Sequence, residues 1–263
     1  MNDHFSRRLT IGTNLKMHQT PAETAAFVEA LPTPLEPVVR GRDDVQLFVI
    51  PPFTSISAAD AAREPSLLPL WIGGQNMHWA EEGAFTGEIS ARMLTGAGAD
   101  LVLLGHAERR GLFGETDDAL ARKVPAALAA ELRVLLAVGE TSDERAWGVG
   151  PETVSRQLKI ALIDVDPGSA SRISVAYEPV WSIGSDGIPA EPGDVEPMAT
   201  TIRATLADLF GAASEQIPVL YGGSVNGKNC GDFMALNDID GLFVGRAAWT
   251  VEGFAEIVQA AIQ

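Results

Sequence analysis

Short runs of apolar and β-branched residues recur along the chain, each followed by a longer segment patterned for a helix. The runs fall at residues 9–15, 45–50, 70–75, 101–105, 133–138, 174–177, 218–221 and 241–244. The helical segments fall at 21–31, 55–62, 90–96, 117–130, 151–163, 194–210, 226–236 and 251–262. Several runs are apolar throughout, Leu101-Val102-Leu103-Leu104 most plainly, as a parallel strand buried on both faces requires. Eight β–α units within 263 residues predict one α/β domain over residues 1–263, a closed (β/α)8 barrel. A doubly wound open sheet shares the same local pattern, and periodicity alone does not separate the two.

Thr20 ahead of Pro21, with Glu23 three residues on, has the form of a capping box and marks one helix start. Residues 32–44 read as a surface excursion before the second run. A second irregular stretch, residues 182–193, follows the sixth. No Pro-, Gly- or Ser-rich linker divides the chain.

The chain carries 19 Lys and Arg against 35 Asp and Glu, a net charge of −16. Such a surface repels nucleic acid and anionic membranes, so neither is an expected partner. It also repels an anionic substrate, so a phosphate pocket here has to act locally, through aimed main-chain N–H groups and a few cations. Cys230 is the only cysteine, which excludes an intrachain disulfide and fits a cytoplasmic location. No run approaches the roughly 18 apolar residues of a membrane span, and no His, Cys or carboxylate cluster has metal-ligand spacing. No metal or cofactor is expected.

In a barrel of this kind the strand C-termini build the site, so the informative residues are polar groups where apolar runs stop. Lys16, His106, Glu178 and Ser224 all sit at such points. Each alone has a plainer reading: a solvated loop cation or carboxylate, a structural histidine, a turn serine. His4 and His78 read as surface residues.

Longer strings surround these residues. They are Asn14-Leu15-Lys16-Met17, Gly105-His106-Ala107-Glu108-Arg109-Arg110, Ala176-Tyr177-Glu178-Pro179-Val180-Trp181-Ser182-Ile183-Gly184 and Tyr221-Gly222-Gly223-Ser224-Val225. With Gly74-Gln75-Asn76, Gly83-Ala84-Phe85-Thr86-Gly87-Glu88 and Asp240-Gly241-Leu242-Phe243-Val244-Gly245, they span almost the whole chain in one order. In that order and spacing the chain resembles the triosephosphate isomerase family, whose fold is the (β/α)8 TIM barrel.

The resemblance implies interconversion of glyceraldehyde 3-phosphate and dihydroxyacetone phosphate through an enediolate. It assigns Glu178 as the base, His106 as a neutral imidazole on the substrate oxygens, and Lys16 with Asn14 as their electrostatic support. Glu108 is expected to pair with Lys16. Gly184, Ser224, Gly245 and Arg246 occupy the positions that present main-chain N–H groups to the phosphate. Residues 182–193 correspond to the family's mobile lid, with Pro179-Val180-Trp181 as its first hinge. The segment containing Asn76, Thr86 and Glu88 corresponds to the loop that reaches into a second subunit, so a homodimer is implied.

The chain departs from the family where it has Leu15 for Trp, His18 for Asn and Ala107 for Ser. Its lid is one residue longer, and Arg246 replaces the second glycine after the last strand, with Trp249 nearby. Arg246 either adds a guanidinium at the phosphate or points to solvent. These features resemble a branch of the family acting on phosphorylated four-carbon ketoses such as erythrulose phosphate. That substrate is the alternative within the same chemistry. An alternative of another class is a sugar-phosphate binder without catalysis, which would have no use for the Glu178 carboxylate.

Overall fold

Strand residues alternate between two cores, and that alternation sets the architecture. The computed structural model describes residues 8–64, 66–184 and 187–262. The strands are β1 (Leu9–Asn14), β2 (Val45–Ile50), β3 (Leu70–Gly74), β4 (Leu101–Leu104), β5 (Arg133–Val138), β6 (Ile173–Tyr177), β7 (Val219–Tyr221) and β8 (Gly241–Val244). They pair in sequence order, and β8 returns to β1 in parallel, Gly12 opposite Phe243, to close a barrel. The open-sheet alternative is thereby excluded.

Inside the ring, Phe48, Ile50, Leu101, Leu103, Leu135, Ala137, Ala176, Leu220 and Phe243 form one buried cluster. Outside it, the intervening residues, such as Val102, Leu104, Val134, Leu136 and Val138, pack with the helices in a larger cluster. Strand residues are therefore largely buried on both faces, which is why several runs read as continuously apolar. Polar side chains are driven to the strand ends.

Some helices differ from expectation. Residues 32–44 are not an irregular excursion, because Pro32–Val39 is a helix that buries Leu35 and Val39. Proline is tolerated at the first helical position, where its missing N–H would have no partner. Two further short helices, Ala107–Phe113 and Ser142–Ala146, follow β4 and β5. The latter starts on a capping box formed by Thr141 and Glu144. The expected helix at 226–236 shrinks to Cys230–Met234.

His78 is buried, not a surface residue. Its Nδ1 accepts the Ala80 N–H at 3.0 Å, and its ring packs between Trp79 and Phe85 at centroid distances of 4.2 and 4.1 Å. The aromatic neighbours and one hydrogen bond satisfy it. His4 lies outside the described residues, as do Ser185 and Asp186 of the lid. Among the described residues no helix is long and apolar enough to cross a membrane.

Candidate active site

Closure of the barrel brings the ends of β1, β4, β6, β7 and β8 to one mouth. A cavity of about 340 Å³ opens there, lined by Asn14, Lys16, His106, Glu178, Gly184, Ser224, Gly245 and Arg246 among others. Of the site residues expected from sequence, Glu108 alone is absent from the lining, and it stands one contact behind Lys16.

Glu178 follows β6 and is buried, only 3% exposed. Its Oε2 accepts the Ala107 N–H at 3.2 Å, and its Oε1 lies 3.4 Å from Nε2 of His106. The Ala107 departure leaves no hydroxyl at this point, and the main chain serves instead. Two glycines make room for the glutamate. A Cβ on Gly222 would come within 2.9 Å of Glu178 Cγ, and one on Gly139 within 1.9 Å of the Glu178 carbonyl oxygen. Gly139 is itself fixed by Gln157, which accepts from its N–H at 2.9 Å and donates to its carbonyl at 3.0 Å.

His106 caps the short helix after β4, with Nδ1 accepting the Glu108 N–H at 3.2 Å. A ring nitrogen that accepts cannot carry the proton, so the neutral tautomer with Nε2–H is the one this bond selects. That N–H points toward Glu178 and the cavity, and the ring meets Phe243 edge-on at 6.4 Å.

Lys16 sits just beyond β1 with a positive φ of 51°. The turn is held from three sides. Asn14 Oδ1 accepts the Lys16 N–H at 2.9 Å, Gln75 Nε2 donates to the Lys16 carbonyl at 2.7 Å, and Trp249 Nε1 donates to the Asn14 carbonyl at 2.9 Å. The ammonium donates to Glu108 Oε1 at 2.6 Å. A left-handed residue that is neither Gly nor Asn is strained, and such strain persists only where surroundings over-determine it.

The side of the cavity at Gly184, Ser224 and Gly245 is built around glycines. Gly184 has a φ of 93°, a value that favours glycine, and the Ser224 N–H lies 3.5 Å from Ser182 Oγ. Arg246 is exposed and opens the 3-10 turn Arg246–Ala248. It is among the residues that line the cavity.

Sequence reasoning missed the support beneath Tyr177 and Trp181. Glu140, buried after β5, accepts from Tyr177 Oη at 3.0 Å and Trp181 Nε1 at 2.6 Å. Arg145 covers the Trp181 ring at 3.7 Å and pairs with Asp194 at 2.7 Å. Burial, then the nearby Glu140 charge, pushes the Tyr177 phenol well above its ordinary range. Burial likewise pushes Tyr221 up to about 12. Both phenols therefore stay protonated at neutral pH, and that of Tyr177 donates to Glu140.

Among the described residues, no group of three His, Cys, Asp or Glu side chains is placed to hold a metal ion. What the mouth offers is a buried carboxylate, a neutral imidazole N–H, an ammonium and glycine-rich main chain.

Known proteins identify the family. The sequence profile described as Triosephosphate isomerase matches residues 9–261. An L-erythrulose-1-phosphate isomerase of Rhizobium rhizogenes is 42% identical over 255 residues, covering 96% of this chain and 94% of that one. A triosephosphate isomerase of Carboxydothermus hydrogenoformans is 41% identical over 257 residues, covering 97% and 100%. The crystal structure of triosephosphate isomerase from Bartonella henselae superposes with a TM-score of 0.85 at 32% identity, covering 96% of this chain and 98% of that one. The chain belongs to the triosephosphate isomerase family, and it is an aldose–ketose isomerase.

Proposed function

We propose that this isomerase moves one proton between adjacent carbons of a small phosphorylated sugar, with Glu178 as the base. The observation that carries the reading is the buried Glu178 carboxylate 3.4 Å from His106 Nε2, on the wall of a cavity edged by the backbone of Gly184, Ser224 and Gly245. In the resting arrangement Glu178 rests on the Ala107 N–H and has to leave it to reach a substrate carbon. Removing the proton beside the carbonyl creates an enediolate with negative charge on two oxygens. His106 Nε2–H, the Lys16 ammonium and Asn14 supply fixed positive potential there without reorganising, which is where electrostatic catalysis gains most. Glu108 holds the ammonium in place. Gly184, Ser224, Gly245 and Arg246 take the phosphate, overcoming the acidic exterior at short range. Binding alone has no use for a buried carboxylate, so the non-catalytic alternative lacks support.

Two substrates fit this chemistry. The glyceraldehyde 3-phosphate and dihydroxyacetone phosphate pair is the simpler. The erythrulose reading is favoured by the names of the relatives, among them L-erythrulose-1-phosphate isomerases of Rhizobium and Brucella at 40–43% identity. Chemically the two are close. Erythrulose 1-phosphate is dihydroxyacetone phosphate with a hydroxymethyl group on the carbon remote from the phosphate. The phosphate-to-carbonyl spacing is the same in both. Discrimination therefore falls to the end of the cavity remote from the phosphate, and the departures at the lid and Arg246 do not by themselves choose.

The homodimer is part of the same reading. Met17, next to Lys16, is 94% exposed, and Phe85, beside Thr86, is also exposed; Glu88 is exposed on the same loop. A second subunit would cover them. Asn76 differs, being buried within the chain and accepting from Lys123 Nζ at 2.9 Å.

Three outcomes follow. Glu178→Gln keeps shape and removes basicity, so turnover should fall by about 10²–10⁴-fold or more; near-unchanged turnover would end the assignment. Measured side by side, kcat/KM for L-erythrulose 1-phosphate should exceed that for dihydroxyacetone phosphate by roughly tenfold or more, within the range one added group commands. The reverse ratio selects the triose. Sedimentation at assay concentrations should show a dimer, and a fully active monomer would refute the subunit coupling.

A further inference from the structure

The opposite end of the barrel holds a second cavity, of about 280 Å³, where the strands begin. Its wall includes Arg8, Arg133, Arg172, Trp71, Phe48 and Leu101. In a chain of net charge −16, three arginines converge on one small space.

Their contacts among the described residues are to main chain, a hydroxyl and an aromatic ring. The Arg133 guanidinium carbon sits over the Trp71 ring, 4.2 Å from its centroid, and Nη1 donates to the Ser171 carbonyl at 3.0 Å. Arg172 donates to the Leu128 carbonyl at 2.7 Å and the Ser169 hydroxyl at 3.3 Å. Among the described residues no carboxylate forms an ion pair with Arg8, Arg133 or Arg172. Asp100, the acid nearest in effect to Arg133, is engaged by Arg63. Glu215 also lines the cavity, but it has an interaction of its own. Burial, with repulsion from Arg8 and Arg172 added, pushes the Arg133 guanidinium below its usual range. A guanidinium does not shed its proton in a protein. Its unbalanced charge is a standing cost that an anion would offset.

The floor has a different character. Phe48, Leu101 and Leu135 line the cavity and belong to the apolar cluster inside the barrel. Cations at the rim and hydrocarbon beneath fit an anion with a flat apolar body better than a phosphate, which would leave the floor uncovered.

We propose that the cavity at the N-terminal end of the barrel binds a small aromatic carboxylate, its charge on Arg133 and Arg172 and its ring against Phe48 and Leu101. This site is separate from the catalytic mouth and does not depend on which substrate the enzyme turns over.

Calorimetric titration of the full chain tests it, with 2-naphthoate as probe and 2-naphthamide as its uncharged twin. Saturable one-to-one binding of the naphthoate is expected, with the amide at least about tenfold weaker, since hydrogen bonds to charged groups carry the difference. Arg133→Gln and Arg172→Gln should each lower naphthoate affinity by about tenfold while isomerase activity stays at the wild-type level, which also reports folding. If Arg133→Gln does not fold, the exposed Arg8→Gln is read instead, with a loss of about threefold expected. Arg246→Gln, at the other mouth, should leave affinity unchanged. No saturation by about 10 mM, equal binding of the amide, or a loss confined to Arg246→Gln would each overturn the proposal. So would tighter binding of inorganic phosphate than of naphthoate.

Discussion

A ring of parallel strands with hydrocarbon on both sides leaves polar groups nowhere to go except its ends. In this chain Leu101 and Leu103 face the inner core while Val102 and Leu104 face the helices, and the first polar residue after them is His106. The same rule puts Glu178 after Tyr177 and Lys16 after Leu15. Because β8 pairs back onto β1, residues distant in sequence share one mouth. The Trp249 bond to the Asn14 carbonyl, which spans 235 positions, exists only because the ring is closed.

The mouth then has to hold a buried carboxylate, a neutral imidazole and a cation without letting them neutralise one another. The structure separates them by giving each its own restraint. Glu178 rests on the Ala107 N–H, His106 Nδ1 is occupied by the Glu108 N–H, and the Lys16 ammonium is drawn aside by the Glu108 carboxylate. One short helix, Ala107–Phe113, thus touches all three groups. The net charge of −16 makes this local arrangement necessary, since the exterior field works against any phosphate approaching.

The strands were legible in the sequence because two-sided burial writes itself as unbroken apolar runs. The polar residues at their ends were legible because they sit inside longer strings. What escaped was support that acts across the fold. Glu140 stands in Val138-Gly139-Glu140-Thr141, which looks like a solvated turn, yet it is buried beneath Tyr177 and Trp181. Gln157 looks like a helix-surface residue and instead clamps Gly139. The helix Pro32–Val39 was masked by its three prolines, and His78 by its polarity, although both are fixed by apolar neighbours. A partner that is remote in sequence leaves no local signal.

The central claim is that a protein carboxylate takes the migrating hydrogen as a proton, and isomerisation in D₂O tests it most directly. With a carboxylic acid as the carrier, the proton can exchange with solvent before it returns, so a fraction of the product formed in D₂O should carry deuterium on the carbon that receives it. Starting material recovered part-way through the reaction should carry some as well. Product formed at full rate with no solvent deuterium would mean that hydrogen passes directly from carbon to carbon, and would contradict the account.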